Sequence, residues 1–99
     1  MADDILAVDV GTTAFKLGVF GPTLEKRCEA TRRYDANFYE QGKADIEPHK
    51  WWRALRECCQ EIQDYLHSVR VVTFSVTTPG LTPIAEYGTA FGPAILFCD

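Results

Sequence analysis

No apolar run in this 99-residue chain approaches the roughly 20 residues needed to cross a bilayer. A helical membrane span is therefore not expected. Positive charge is also scarce: 10 Lys and Arg stand against 14 Asp and Glu, a net charge of −4. A general nucleic-acid binder would carry a basic stripe, so no nucleic-acid partner is expected either. The opening Met1-Ala2-Asp3-Asp4 is acidic where a secretory signal would be basic, which argues for a cytoplasmic protein. There is no Cys-x-x-Cys pair, and neither His49 nor His67 has a metal-ligand spacing. The cysteines Cys28, Cys58, Cys59 and Cys98 read instead as reduced, mostly buried thiols. Repeats, low-complexity tracts and linkers are missing as well, so one small domain, or part of a larger one, accounts for the whole length.

What is present centres on Ile5-Leu6-Ala7-Val8-Asp9-Val10-Gly11-Thr12-Thr13-Ala14-Phe15-Lys16. A strand that buries Ile5, Ala7 and Val8 has no packing reason to carry Asp9, and an unpaired buried carboxylate is costly. Gly11 permits a tight turn and close backbone approach to a ligand. Thr12 and Thr13 offer hydroxyls and backbone N–H groups, and Lys16 offers a positive charge. Together they could cradle phosphate oxygens, with Asp9 holding a magnesium ion through water. The same residues could equally form a β-hairpin with a polar turn, in which Asp9 only caps backbone amides.

Periodicity orders the remainder. Residues 4–10 and 14–20 read as an antiparallel pair, and residues 24–34 add a third strand after the Gly21-Pro22-Thr23 turn. Residues 35–46 are polar and read as a loop. Glu47 and Pro48 suit a helix start. Trp51, Trp52, Leu55, Cys58, Cys59, Ile62, Tyr65 and Leu66 then form an apolar stripe on a helix of about five turns, with both tryptophans in the core. Val69–Val76 is apolar enough for a central strand and, following a crossover helix, should lie parallel to the first. Thr77-Thr78-Pro79-Gly80 forms a polar loop. A hairpin over Leu81 to Ala85 and Ala94 to Phe97, turning at Tyr87-Gly88-Thr89, completes the chain. Ending at Asp99 directly after an apolar strand, the sequence reads as an incomplete domain, a fragment spanning residues 1–99 of something longer.

Three segments resemble the FGGY carbohydrate kinases of the actin-like ATPase superfamily. Asp9-Val10-Gly11-Thr12-Thr13-Ala14-Phe15-Lys16 is similar to that superfamily's first phosphate motif. Asp45-Ile46-Glu47-Pro48-His49-Lys50-Trp51-Trp52 resembles the acidic-Pro-x-x-Trp-Trp helix start of xylulose-kinase-like members. Pro93-Ala94-Ile95-Leu96-Phe97-Cys98-Asp99 is similar to the family's Pro-Ala-Ile-x-Trp-x-Asp strand. The three occur in family order across essentially the whole chain. The resemblance implies an α/β fold: the N-terminal half of a ribonuclease-H-like domain, with a three-stranded antiparallel meander, a crossover helix and further strands.

It also implies roles. Asp9 would position Mg²⁺-ATP through water, Gly11, Thr12 and Thr13 would approach the β- and γ-phosphates, and Lys16 would neutralise the transferring group. Such catalysis is positioning plus electrostatics. Thr77, Thr78, Pro79 and Gly80 fall where family members contact the sugar or polyol, and Asp99 falls near the same cleft. The sequence departs from the family at Thr78 and Pro79. Proline has no side-chain hydrogen-bonding group, so the substrate contacts of xylulose and glycerol kinases do not transfer. Phe97 stands for a usual tryptophan and Glu47 for a usual aspartate. The general-base aspartate, the second phosphate motif and the adenosine pocket lie beyond residue 99 in these kinases, so the chain alone is expected to be inactive. Its exposed sheet edges and apolar helix surface make self-association an expectation. The alternatives are a non-catalytic nucleotide-binding module of the same fold, or a small α/β domain in which Asp9 is only structural.

Overall fold

The computed structural model describes residues 3–76, 80–90 and 92–97. Alternating burial along the first two strands puts Leu6, Val8, Phe15, Leu17 and Val19 on one face, so β1 (Asp4–Val10) and β2 (Ala14–Phe20) pair antiparallel with Val8 opposite Leu17. β3 (Lys26–Arg33) extends the meander on the far side of β2. It begins two residues later than the sequence pattern suggests. Leu24 sits in the left-handed region at φ 70°, with its N–H on the Gly21 carbonyl, so residues 21–25 are spent on the turn.

The expected loop over 35–46 instead contains two short strands, β4 (Asn37–Phe38) and β5 (Lys43–Ile46), joined by a 3-10 turn over Glu40–Gly42. Gly42 takes φ 72° there, and Asp45 accepts hydrogen bonds from Asn37 Nδ2 and Tyr39 Oη. α1 (Pro48–Glu61) starts where predicted, with Glu47 as cap residue, though the Glu47 side chain makes no capping bond. The helix is shorter than the apolar stripe. Ile62 stays buried but leaves helical geometry at φ −109°, ψ 18°, and a single further turn, α2 (Gln63–Leu66), leads away.

β6 (Val69–Val76) then returns parallel to β1, giving the order β3-β2-β1-β6. This is the expected meander, crossover helix and parallel strand. α1 covers β2 and β3, and Ala54, Cys58 and Ile62 close the core over β1 and β2. Among the described residues no strand pairs with the far side of β6, so it is an edge strand rather than a central one, and α1 lies over β2 and β3 instead of over it. Phe74 is 65 % exposed, and Val71, Val72 and Val76 are exposed as well. Trp52 differs from expectation for the same reason. It is 66 % exposed at the rim of the helix, while Trp51 is half-buried.

β7 (Gly80–Leu81) and β8 (Ala94–Phe97) form the expected terminal hairpin in a shorter version. Between them is one isolated bridge, Ile84 to Ala90, with Gly88 at φ 84° in its turn. β8 also pairs with β5, so a second four-stranded sheet forms in the order β4-β5-β8-β7. Its small core is Ala44, Ile46, Ala94 and Leu96, with Tyr34, Ala36 and Trp51 packed against it.

Candidate functional site

The turn after β1 is built around a glycine that cannot be replaced without movement. A Cβ on Gly11 would lie 2.7 Å from the Ala14 carbonyl oxygen, the atom that accepts the Gly11 N–H at 2.9 Å. That bond commits the Gly11 amide to closing the turn. Thr13 is exposed.

Asp9 and Lys16 flank this turn as direct cross-strand partners on β1 and β2. Both point to the sheet face opposite α1, and both are exposed. The cost of a buried carboxylate therefore does not arise at Asp9. It arises at Asp4, whose carboxylate is buried and paired with Arg27 Nε at 3.0 Å and Ser68 Oγ at 2.5 Å. Those contacts hold Asp4 below the usual carboxylate range, the Ser68 hydrogen bond most of all. Among the described residues neither Asp9 nor Lys16 forms an ion pair, and no hydrogen bond places Asp9 as a cap on backbone amides. Opposite charges thus stand side by side on an open surface. The row they define continues to Ser75 on β6 and Thr31 on β3. The adjacent row, Thr73, Ala7, Gly18 and Glu29, has small residues at its centre. A shallow depression of about 290 Å³ follows these two rows.

The described residues contain no group of three or more His, Cys, Asp or Glu side chains that could cage a metal ion. One carboxylate beside a turn still suits Mg²⁺, which keeps several waters and binds through one or two carboxylates plus substrate phosphates. Asp9 fits that limited part.

Of the residues expected on the substrate side, Thr77, Thr78, Pro79 and Asp99 lie outside the described residues. Gly80 is described and exposed at the start of β7. The chain leaves β6 at Val76, the register partner of Val10, so the turn after β1 and the segment leading to Gly80 depart from the same end of adjacent parallel strands. In open α/β sheets, ligands sit outside such carboxyl ends. Gly80 also borders a groove of about 460 Å³ shared with Val10, Val76, Trp51 and Trp52. That groove is apolar and lies on the α1 side, across the sheet from Asp9 and Lys16.

One residue that the motifs did not single out belongs to the site. Tyr34, just after β3, donates its hydroxyl hydrogen bond to the Gly11 carbonyl at 2.5 Å, and its backbone N–H to the Thr13 carbonyl at 3.1 Å. Burial pushes its phenol up to about 12, and the Asp9 carboxylate adds to the rise. The Trp51 indole N–H works the other way as a polar neighbour, although it reaches no hydrogen-bond geometry and is buried without a partner among the described residues. The sequence signal for Tyr34 was no more than an aromatic at a strand end.

No family model matches the chain, and no curated protein matches it. Solved structures do match. A xylulose kinase from Rhodospirillum rubrum superposes with TM-score 0.80 at 18 % identity, over 94 % of this chain and 20 % of its own. A gluconate kinase from Lactobacillus acidophilus gives TM-score 0.80 at 18 % identity, over 94 % and 19 %. A Plasmodium falciparum glycerol kinase with ADP gives TM-score 0.72 at 15 % identity, over 96 % and 20 %. At these identities the likeness is one of fold: the chain has the mixed α/β fold of the N-terminal domains of FGGY kinases. It spans about a fifth of the length of the structures it matches.

Proposed function

We propose that this chain supplies the first phosphate-binding element, and part of the sugar cleft, of an ATP-dependent carbohydrate kinase working in the cytoplasm. The observation that carries the reading is the pairing of Asp9 and Lys16 across a turn that is closed by Gly11 and has no ion pair of its own among the described residues. The kinase folds that the chain matches support it.

In this reading Thr12 and Thr13 approach the β- and γ-phosphates of ATP, and Gly11 keeps the turn tight enough for them to do so. Lys16 offsets charge that builds on the transferring phosphoryl group, an electrostatic contribution that matters most where water is excluded. Asp9 would hold Mg²⁺ through water, and the ion when bound would neutralise the phosphate oxygens. Thr77, Thr78, Pro79, Gly80 and Asp99 would contact the sugar or polyol. The base that takes the acceptor hydroxyl's proton would come from a part of the polypeptide outside these residues. The bare edge and exposed valines of β6 are the surface through which the isolated chain would self-associate.

The experiment is kinase turnover with candidate sugars and polyols. The longer polypeptide carrying this sequence is expected to turn over, and these 99 residues alone are not. Asp9→Asn and Lys16→Ala should each lower kcat by roughly 10²-fold or more, with the melting temperature unchanged. Turnover unaffected by both substitutions would sink the kinase reading. Tight nucleotide binding without phosphoryl transfer to any acceptor would instead favour a non-catalytic nucleotide-binding module.

A further inference from the structure

We propose that Tyr34 is a positioning residue for the phosphate-binding turn, holding the Gly11 and Thr13 carbonyls from behind so that neither can swing toward the phosphates. The proposal rests on the kinase reading above. Its geometry does not.

Two hydrogen bonds from one residue straddle Thr12: the Tyr34 hydroxyl on the Gly11 carbonyl and the Tyr34 N–H on the Thr13 carbonyl. A carbonyl oxygen carries partial negative charge, so one facing an incoming phosphate opposes binding. A trans peptide points its N–H away from its C=O. Turning the Gly11 carbonyl toward Tyr34 therefore turns the Thr12 N–H to the opposite side of the turn. Successive N–H groups arranged in this way make an anion-binding concavity.

Tyr34 can act as a fixed post because its ring is wedged. It packs against the core beneath the first sheet and against the core of the second sheet, with Trp51 of α1 beside it. The second sheet also carries Gly80 on β7. One aromatic side chain thus connects the phosphate turn to the sheet that bears the substrate-side residue.

The test is Tyr34→Phe, which keeps the ring and the backbone N–H and removes only the hydroxyl. Amide hydrogen exchange on the 99-residue chain should quicken roughly tenfold at Gly11, because a turn that has lost the Tyr34 bond to the Gly11 carbonyl opens more often and releases the Gly11 N–H from the Ala14 carbonyl. Val19, deep in the first core, should keep its rate. Unchanged exchange at Gly11 would overturn the proposal. So would equal acceleration at Gly11 and Val19, which would mean only general loosening. In the longer polypeptide, KM for Mg-ATP should rise roughly threefold to tenfold with KM for the sugar unchanged. If Lys16→Ala lowers kcat and Tyr34→Phe leaves KM for Mg-ATP unchanged, the positioning role fails while the kinase reading stands. If Lys16→Ala leaves kcat unchanged as well, the kinase reading fails and takes the phosphate role of Tyr34 with it.

Discussion

Asp9 and Lys16 are register partners on β1 and β2, yet no ion pair joins them. Charges kept adjacent, exposed and uncombined contribute little to holding a fold. Asp9→Asn and Lys16→Ala should therefore each change unfolding free energy by less than about 0.5 kcal/mol, measured by urea titration. A structural Asp9 would cost well over 1 kcal/mol on that measurement and would remove the reason to assign it to a ligand.

Gly11 should be far less tolerant. Its missing Cβ is required by the Ala14 carbonyl oxygen 2.7 Å from where that atom would sit. The obstacle is backbone, so it cannot rotate away. Gly11→Ala should destabilise the chain by about 1–3 kcal/mol. A neutral substitution in urea unfolding would mean the turn can open at little cost.

Acid stability should depend on Asp4. Its folded pKa is depressed, chiefly by the Ser68 hydrogen bond, with Arg27 adding to the effect. A carboxylate whose pKa is lowered by folding contributes stability that is present above its unfolded value of about 3.9. That contribution is lost as the pH falls through the folded value. Urea midpoints should thus decline on acidification below about pH 4, and less steeply in Asp4→Asn and Ser68→Ala. Parallel pH profiles for wild type and both variants would contradict this account.

Leu24 offers a gain. It holds a left-handed conformation that costs an L-residue with a side chain roughly 1–2 kcal/mol, and its side chain is 71 % exposed, so little packing is forfeited. Leu24→Gly should stabilise by about 0.5–1 kcal/mol after the extra unfolded-chain entropy of glycine is subtracted. Thermal unfolding should show a higher midpoint, and a lower one would mean that Leu24 makes contacts worth more than its strain.

The parts of the fold written in local periodicity could be read directly. The alternation at Ile5–Val10 and Phe15–Val19 and the helical spacing of Trp51, Leu55, Cys58 and Ile62 specify β1, β2 and α1 wherever their neighbours lie. β4 and β5 carry no such pattern, because two and four residues are too few to alternate and β5 is recruited by β8 from the far end of the chain. The position of β6 was misread because its apolar composition describes what it could bury, whereas its burial depends on what lies beside it. At the site, Asp9, Gly11 and Lys16 were legible as a motif. Tyr34 was not, since its bond to Gly11 bridges 23 positions, and away from the site Asp4 was not, since its bond from Ser68 bridges 64.

The pairing of β5 with β8 sets an order of events in folding. The meander needs only short closures between neighbouring segments, and α1 and β6 can dock on it next. β8 must find Lys43–Ile46 across the whole crossover, a closure that costs chain entropy before any backbone bond is made. The second sheet should therefore be the last unit to assemble and the first to open. Because Tyr34 is wedged against that sheet, each such opening would briefly unseat the turn over residues 11–13 while the first sheet stays intact.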